Sequence, residues 1–282
     1  MDKNSGYVVR RHFFLERLIK LPLVQRLWRR FPIGNVALRT EFDIWERPNY
    51  AFGIYSACNL AAALGLKAVS VIEFGVAGGS GLIAMEKAAV QLSQYFNLDI
   101  QVFGFDTGAG MPPPSDYRDV PHAWGQGFYQ MDEQKLRSKL HAAKLIVGNV
   151  SETIPRFLEK LENGIAPVGF ISFDLDYYSS TKQALMVFEG SQQTRLPRAF
   201  CYFDDVIQPL RAYLNPYVGE TLAINEYNLK HEQQKIARIE HLTWLRERAA
   251  LWNHQMYVHH DFSHSLYTRC LTPPGHRQLP LQ

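Results

Sequence analysis

Six carboxylates stand at or near the carboxyl ends of runs that read as β-strands: Glu73, Asp106, Asp174, Asp176, Asp204 and Asp205. Asp174 and the Asp204-Asp205 pair follow runs that should be neighbouring strands. Three carboxylates converging there repel one another, which raises their pKa values unless a cation lies between them. An oxygen-only donor set points to Mg²⁺, with Ca²⁺ or Mn²⁺ as alternatives. The lack of nearby Cys and His argues against Zn²⁺. The competing reading is that these aspartates simply cap helices.

A second chemistry-bearing stretch is residues 69–86, where Val69, Val71, Ile72 and Phe74 form a short apolar strand ending at Gly75. Gly78, Gly79, Ser80 and Gly81 follow, and Leu82 restores helical periodicity. A strand, a glycine turn and a helix N-terminus set free N–H groups and a positive dipole end beside a cleft. The dinucleotide pattern G-x-G-x-x-G fails, because Ala77 and Ser80 occupy its second and third glycine positions. No Lys-Ser/Thr pair follows the glycines, so a Walker loop is excluded as well. What remains is Glu73-x-Gly75-x-x-x-Gly79, which suits a ligand with a cationic amine. Asp106, closing the second strand, is placed to hold a ribose diol, and Asn149, at the exit of the third, could meet an adenine edge.

These residues are positioned by alternating strands and helices. Strands are expected at 69–74, 100–105, 145–150, 169–173 and 199–203. Helices are expected at 50–64, 81–95, 133–142 and 220–233, with one opening at Pro155 and one at a Ser180–Gln183 capping box. Five strands alternating with helices imply a doubly wound, mostly parallel, Rossmann-like α/β sheet. A strand is expected at 236–242, and runs at 255–261 and 265–271 suggest an antiparallel terminal hairpin. Residues 107–132 carry four prolines, four glycines and several aromatics. This segment reads as an active-site lid, with Trp124, Phe128 and Tyr129 as an aromatic wall and Arg118 and His122 for polar contacts.

Bulk composition excludes several classes. The chain has 282 residues, long enough for one large core, and its net charge of +3 is too small to argue for nucleic acid. Cys58, Cys201 and Cys270 lack metal-ligand spacing, which favours a reduced, cytoplasmic setting. No apolar run reaches the roughly 18–20 residues of a membrane span. Residues 8–31 mix seven Arg or Lys with apolar residues and read as two short helices split at Pro22. They form an N-terminal arm (1–48) that packs on the main domain (49–282) or on a second copy of the chain. An arm touching a membrane surface or an acidic partner is the alternative.

Four stretches in order resemble the macrocin O-methyltransferase family of class I S-adenosylmethionine-dependent enzymes: Phe103–Pro112, Gly148–Pro155, Phe173–Leu185 and Tyr202–Asp205. The resemblance spans about residues 50–240. It implies an S-adenosylmethionine-dependent O-methyltransferase acting on a hydroxyl of a small molecule such as a sugar or natural product. It further implies Mg²⁺ at Asp174, Asp204 and Asp205, with Asp174 also catalytic. Glu73, Gly75, Gly78, Gly79, Ser80, Gly81, Asp106 and Asn149 would line the cofactor. A histidine late in the chain would be the general base, and His254, His259, His260 and His264 are the candidates. A nucleotide-dependent oxidoreductase and a non-catalytic binding protein are the rival readings.

Overall fold

A computed structural model describes residues 21–207 and 209–272. It contains, in order, α1 (Pro22–Arg30), α2 (Val36–Glu41), α3 (Pro48–Ala63), β1 (Ala68–Phe74), α4 (Ser80–Phe96) and β2 (Asp99–Asp106). Then follow α5 (Glu133–Arg137), β3 (Lys144–Val147), α6 (Val150–Glu162), β4 (Val168–Phe173), α7 (Tyr178–Ala184) and β5 (Arg195–Phe203). The chain continues through α8 (Gly219–Lys230), β6 (Gln234–Arg238), α9 (Leu242–Leu245) and β7 (Met256–Asp261). The strands form one sheet in the order β3-β2-β1-β4-β5-β7-β6.

β1 to β5 pair in parallel, and only β7 is reversed, antiparallel to both β5 and β6. The strands alternate their side chains between two cores. Val69, Val71 and Phe170 face α3 and α4, while Ile72, Phe74, Ile171 and Phe173 face α6, α7 and α8. Both faces are therefore covered, as a parallel sheet requires. The chain order reverses between β1 and β4, and at such a switch point the strand ends leave a crevice.

Several local expectations are corrected. Residues 265–271 form turns, not a strand, so the antiparallel partners are β6 and β7. Asn149 starts α6 by accepting from the Ser151 N–H at 3.0 Å, which leaves Pro155 inside that helix and not in its first turn. The Ser180 capping box does not open α7, which begins at Tyr178 with Tyr177 as its N-cap. Residues 36–41, in the expected N-terminal arm, are helical and capped by Asn35. The helix expected before Pro22 lies outside the described residues.

The amino-terminal elements are tied down by polar contacts. Arg246 donates to Asp43 at 2.7 Å, both side chains being buried, and Arg248 donates to Gln25 of α1. Val36 and Trp45 join the core formed by α3 and α4.

Candidate active site

The carboxyl ends of β1, β2, β4 and β5 open into a cavity of about 430 Å³. Gly75, Asp106, Asn149, Asp174, Asp204 and Asp205 line it, so the structure brings together six of the site residues expected from the sequence. Asp176, Trp124, Tyr129 and Arg211 also line it. Its size falls within the range of small-molecule sites.

The turn after β1 is dictated by close packing. Gly75 has φ +86°, and a Cβ there would stand 1.7 Å from the backbone oxygen of Asp174. No other residue type fits. Asp106 then holds two loops together: Oδ2 accepts from Val76 and Ala77 at 2.9 and 2.8 Å, and Oδ1 from Gly108 at 2.7 Å. Oδ2 thereby uses both of its lone pairs, and Oδ1 retains one for a ligand hydroxyl.

The other glycines of this turn, Gly78, Gly79 and Gly81, do not line the cavity. A Cβ at Gly79 would lie 2.2 Å from Leu136 Cδ1, and one at Gly81 would lie 1.8 Å from Glu73 Oε1. Their missing side chains thus make room for protein atoms, whereas the Gly78 position opens on empty space. Ser80 Oγ accepts from Arg47 at 2.9 Å.

Glu73 lies behind the turn and is only 2% exposed. Its Oε1 accepts from the Tyr50 hydroxyl at 2.6 Å, and Ser172 donates to the same Tyr50 oxygen at 2.9 Å. Oε2 is buried without a partner. Burial pushes the Glu73 pKa up to about 7, against the opposing pull of Tyr50 and Arg47. The Asn149 side-chain oxygen is occupied by the α6 cap, accepting from the Ser151 N–H and hydroxyl at 3.0 and 2.8 Å.

Asp174, Asp204 and Asp205 each offer an oxygen, all within 4.8 Å of one another. The geometry behind them is fixed by neighbours. Tyr202 donates to Asp204 Oδ1 at 2.6 Å, the Asp176 N–H donates to Asp205 Oδ2 at 3.1 Å, and Gln255 donates to the Asp204 carbonyl at 2.6 Å. The Asp205 N–H in turn donates to Glu220 Oε2 at 2.9 Å, while Glu220 Oε1 is buried and unpartnered. Burial, then mutual repulsion, drives Asp174 and Asp205 well above the carboxylate range and Asp176 up to about 6. Glu220 is raised as well, chiefly by burial.

These residues fit a divalent cation. Octahedral ligands at about 2.1 Å from Mg²⁺ lie roughly 3 Å apart when adjacent and about 4.2 Å apart when opposite. Oxygens within 4.8 Å of one another lie close to that spacing, and the uncompensated negative charge is what such an ion would neutralise. Arg47 is a nearby positive charge whose field reaches Glu73, Asp174 and Asp204.

None of His254, His259, His260 and His264 lines the cavity. Because β7 is reversed, Met256 pairs with Tyr202 near the site while His260 pairs with Arg198 farther back. His259 is fully buried, stacked on Phe188 at 3.8 Å, and burial lowers its pKa well below the usual value. His260 and His264 sit at the same far end, and His254 is exposed beside Thr243.

The segment 107–132 is folded onto the domain. Buried Asp119 accepts from Ser115 N–H, Ser179 N–H and Ser179 hydroxyl at 2.7, 2.8 and 2.9 Å. Trp124 is packed with Met111, Val120, Tyr177 and Ala212 in a small separate core. Phe128, Arg118 and His122 do not line the cavity: Arg118 stacks on Tyr178 at 4.5 Å, and His122 meets the Ala212 carbonyl at 3.2 Å.

Sequence reasoning missed Arg47, Tyr50 and Glu220. Arg47 and Tyr50 flank the start of α3, far from any glycine or acidic motif. Glu220 opens α8, where a first-turn acid looks like an ordinary dipole partner.

No protein-family model matches the chain, and no curated protein matches it. Solved structures do. CalS11, a calicheamicin methyltransferase, superposes with a TM-score of 0.51 at 20% identity, over 76% of this chain and 78% of that one. The O-methyltransferase NovP gives 0.49 at 15% identity, over 75% and 79% of the two chains. With its seven-stranded, mostly parallel sheet and its crevice at the β1–β4 switch point, the chain adopts the Rossmann-like fold of the class I methyltransferases.

Proposed function

We propose that the protein is an S-adenosylmethionine-dependent, divalent-cation-dependent O-methyltransferase acting on a hydroxyl of a small molecule, a sugar or natural product being the expected class. One observation carries the reading: three carboxylates converge within 4.8 Å in the cavity that also holds Asp106 and the β1 turn. The likeness of CalS11, a calicheamicin methyltransferase, agrees with it.

In this reading Asp106 holds the ribose, the backbone at Gly75 and Ala77 admits the methionine portion, and Asn149 with Val150 borders the adenine. Asp174, Asp204 and Asp205 hold Mg²⁺. When bound, the ion supplies charge that makes an acceptor hydroxyl easier to deprotonate. The cofactor carries the transferable methyl, so the chain's task is to align the two reactants at about 3 Å. Trp124 and Tyr129 shield that meeting point from water. With none of the described histidines on the wall, Asp176, a wall carboxylate outside the proposed ion set whose burial raises its proton affinity, is the base in this reading. The acceptor proton passes to a carboxylate as oxygen takes the methyl and the sulfonium leaves as a thioether.

The test is calorimetric titration with S-adenosylhomocysteine, followed by transfer of labelled methyl into metabolite extracts with and without chelator. Binding and chelator-sensitive labelling are expected. Absence of S-adenosylhomocysteine binding sinks the cofactor, and chelator-indifferent transfer sinks the ion.

A further inference from the structure

A second concave region lies on the other side of Arg47, where α1 crosses the outer face of α4. This groove, about 720 Å³ in volume, carries Arg26, Arg29, Arg30, Arg39 and Lys87 on its walls, with Leu23, Leu27 and Trp45 between them. Its acidic residue, Glu46, is engaged by Lys87 at 3.3 Å. Four guanidinium groups, on Arg26, Arg29, Arg30 and Arg39, are left without a carboxylate among the described residues.

Arg39 is the unusual member. It is 8% exposed, its Nε is buried without a partner, and its guanidinium lies 4.5 Å over the Trp45 ring. The indole is itself pinned, donating to Thr40 Oγ1 at 3.0 Å. A buried guanidinium without an anion is costly, and the ring face returns only part of the lost hydration. Among the described residues, the other largely buried arginine side chains do have acids: Arg195 meets Asp261 at 2.6 Å, and Arg246 meets Asp43 at 2.7 Å. Burial pulls the Arg39 pKa below the usual guanidinium value, as expected where no carboxylate compensates.

We propose that this groove is a binding site for a phosphate-bearing ligand with an apolar body, with Arg39 receiving the phosphate and Arg26, Arg29 and Arg30 closing over it. Guanidinium groups match phosphate oxygens two at a time, which a point charge such as lysine does not. Leu23, Leu27 and Trp45 supply the apolar contact. A soluble phosphate ester and an anionic lipid headgroup share this chemistry, and the experiment separates them.

The full chain is titrated calorimetrically with pyrophosphate. It is also sedimented with phosphatidylglycerol vesicles and with phosphatidylcholine vesicles. Binding is expected to pyrophosphate, or selectively to the phosphatidylglycerol vesicles. The first result identifies a soluble ester as the source and the second a headgroup. Arg39→Gln should weaken that binding at least tenfold, as should the triple variant Arg26→Gln/Arg29→Gln/Arg30→Gln. The triple variant alters only exposed side chains, so it decides the matter even where Arg39→Gln fails to fold. Arg156→Gln, an exposed change on α6, should leave binding intact. No binding to either probe overturns the site. So does binding that survives the triple variant, or an equal loss in Arg156→Gln, which would mean diffuse charge attraction. S-adenosylhomocysteine affinity should be unchanged throughout, so this outcome is independent of the methyltransferase assignment.

Discussion

Gly75 and Asp174 touch across the switch point of the sheet: the backbone oxygen of Asp174 occupies the space where a Gly75 side chain would begin. The Asp174 N–H also donates to the Phe74 carbonyl at 2.9 Å. The cofactor turn and the first acidic residue of the proposed ion site are thus one packed unit.

Gly75→Ala should therefore damage stability as well as binding. Positive φ and a backbone clash together should cost at least about 3 kcal/mol, read as a denaturant midpoint shift. Gly78→Ala, which meets nothing within 4 Å, should leave the midpoint within about 0.5 kcal/mol. Equal effects at the two positions would contradict the packing described.

Glu73 gives a pH dependence whose sign is fixed. Its pKa is about 7 in the fold against an ordinary 4.5 in the unfolded chain, so the unfolded chain releases that proton first. Stability accordingly falls as pH rises between those values, by about 1.4 kcal/mol per pH unit, and levels off above them. Glu73→Gln, measured in chelator, should flatten the decline between about pH 5 and pH 8 and gain about 2 kcal/mol at the upper end. Parallel slopes in the two proteins would show that Glu73 is already ionised in the fold.

Asp204→Asn separates an ion site from a set of caps. In chelator, removing one of three repelling carboxylates should leave the melting temperature unchanged or higher. Adding Mg²⁺ should raise the wild-type melting temperature and leave the variant nearly unmoved. An identical Mg²⁺ response in both would remove Asp204 from the site.

Asp119→Ala tests the attachment of residues 107–132. The change strands two N–H groups and a hydroxyl that now share one buried carboxylate, a loss of about 3 kcal/mol. Limited proteolysis should then cut near Trp124, which the intact protein protects. Unchanged cleavage would mean that Trp124 alone holds the segment.

The parallel sheet was legible because its strands are short apolar runs punctuated by glycine or aspartate, and each acidic strand end fell where the fold places ligands. The glycine turn was legible as a turn but not in its causes. Gly79 and Gly81 avoid Leu136 and Glu73, contacts made across the sequence that no local pattern encodes. The strands expected near 236–242 and at 255–261 are present as β6 and β7, whereas 265–271, of strand composition, forms turns, so the reversed pair is β6–β7. The histidines were indistinguishable in sequence. The reversal of β7 carries His259, His260 and His264 away from the cavity, while His254, at its near end, is exposed beside Thr243.

That reversal also governs when the site is finished. Gln255, just before β7, accepts from the Phe203 N–H at 3.0 Å and donates to the Asp204 carbonyl, fastening the end of β5. A growing chain lays down Asp174, Asp204 and Asp205 long before Gln255 emerges, and until then β5 is an open sheet edge. The end of β5 that carries Asp204 thus gains these two hydrogen bonds only once the segment entering β7 is in place.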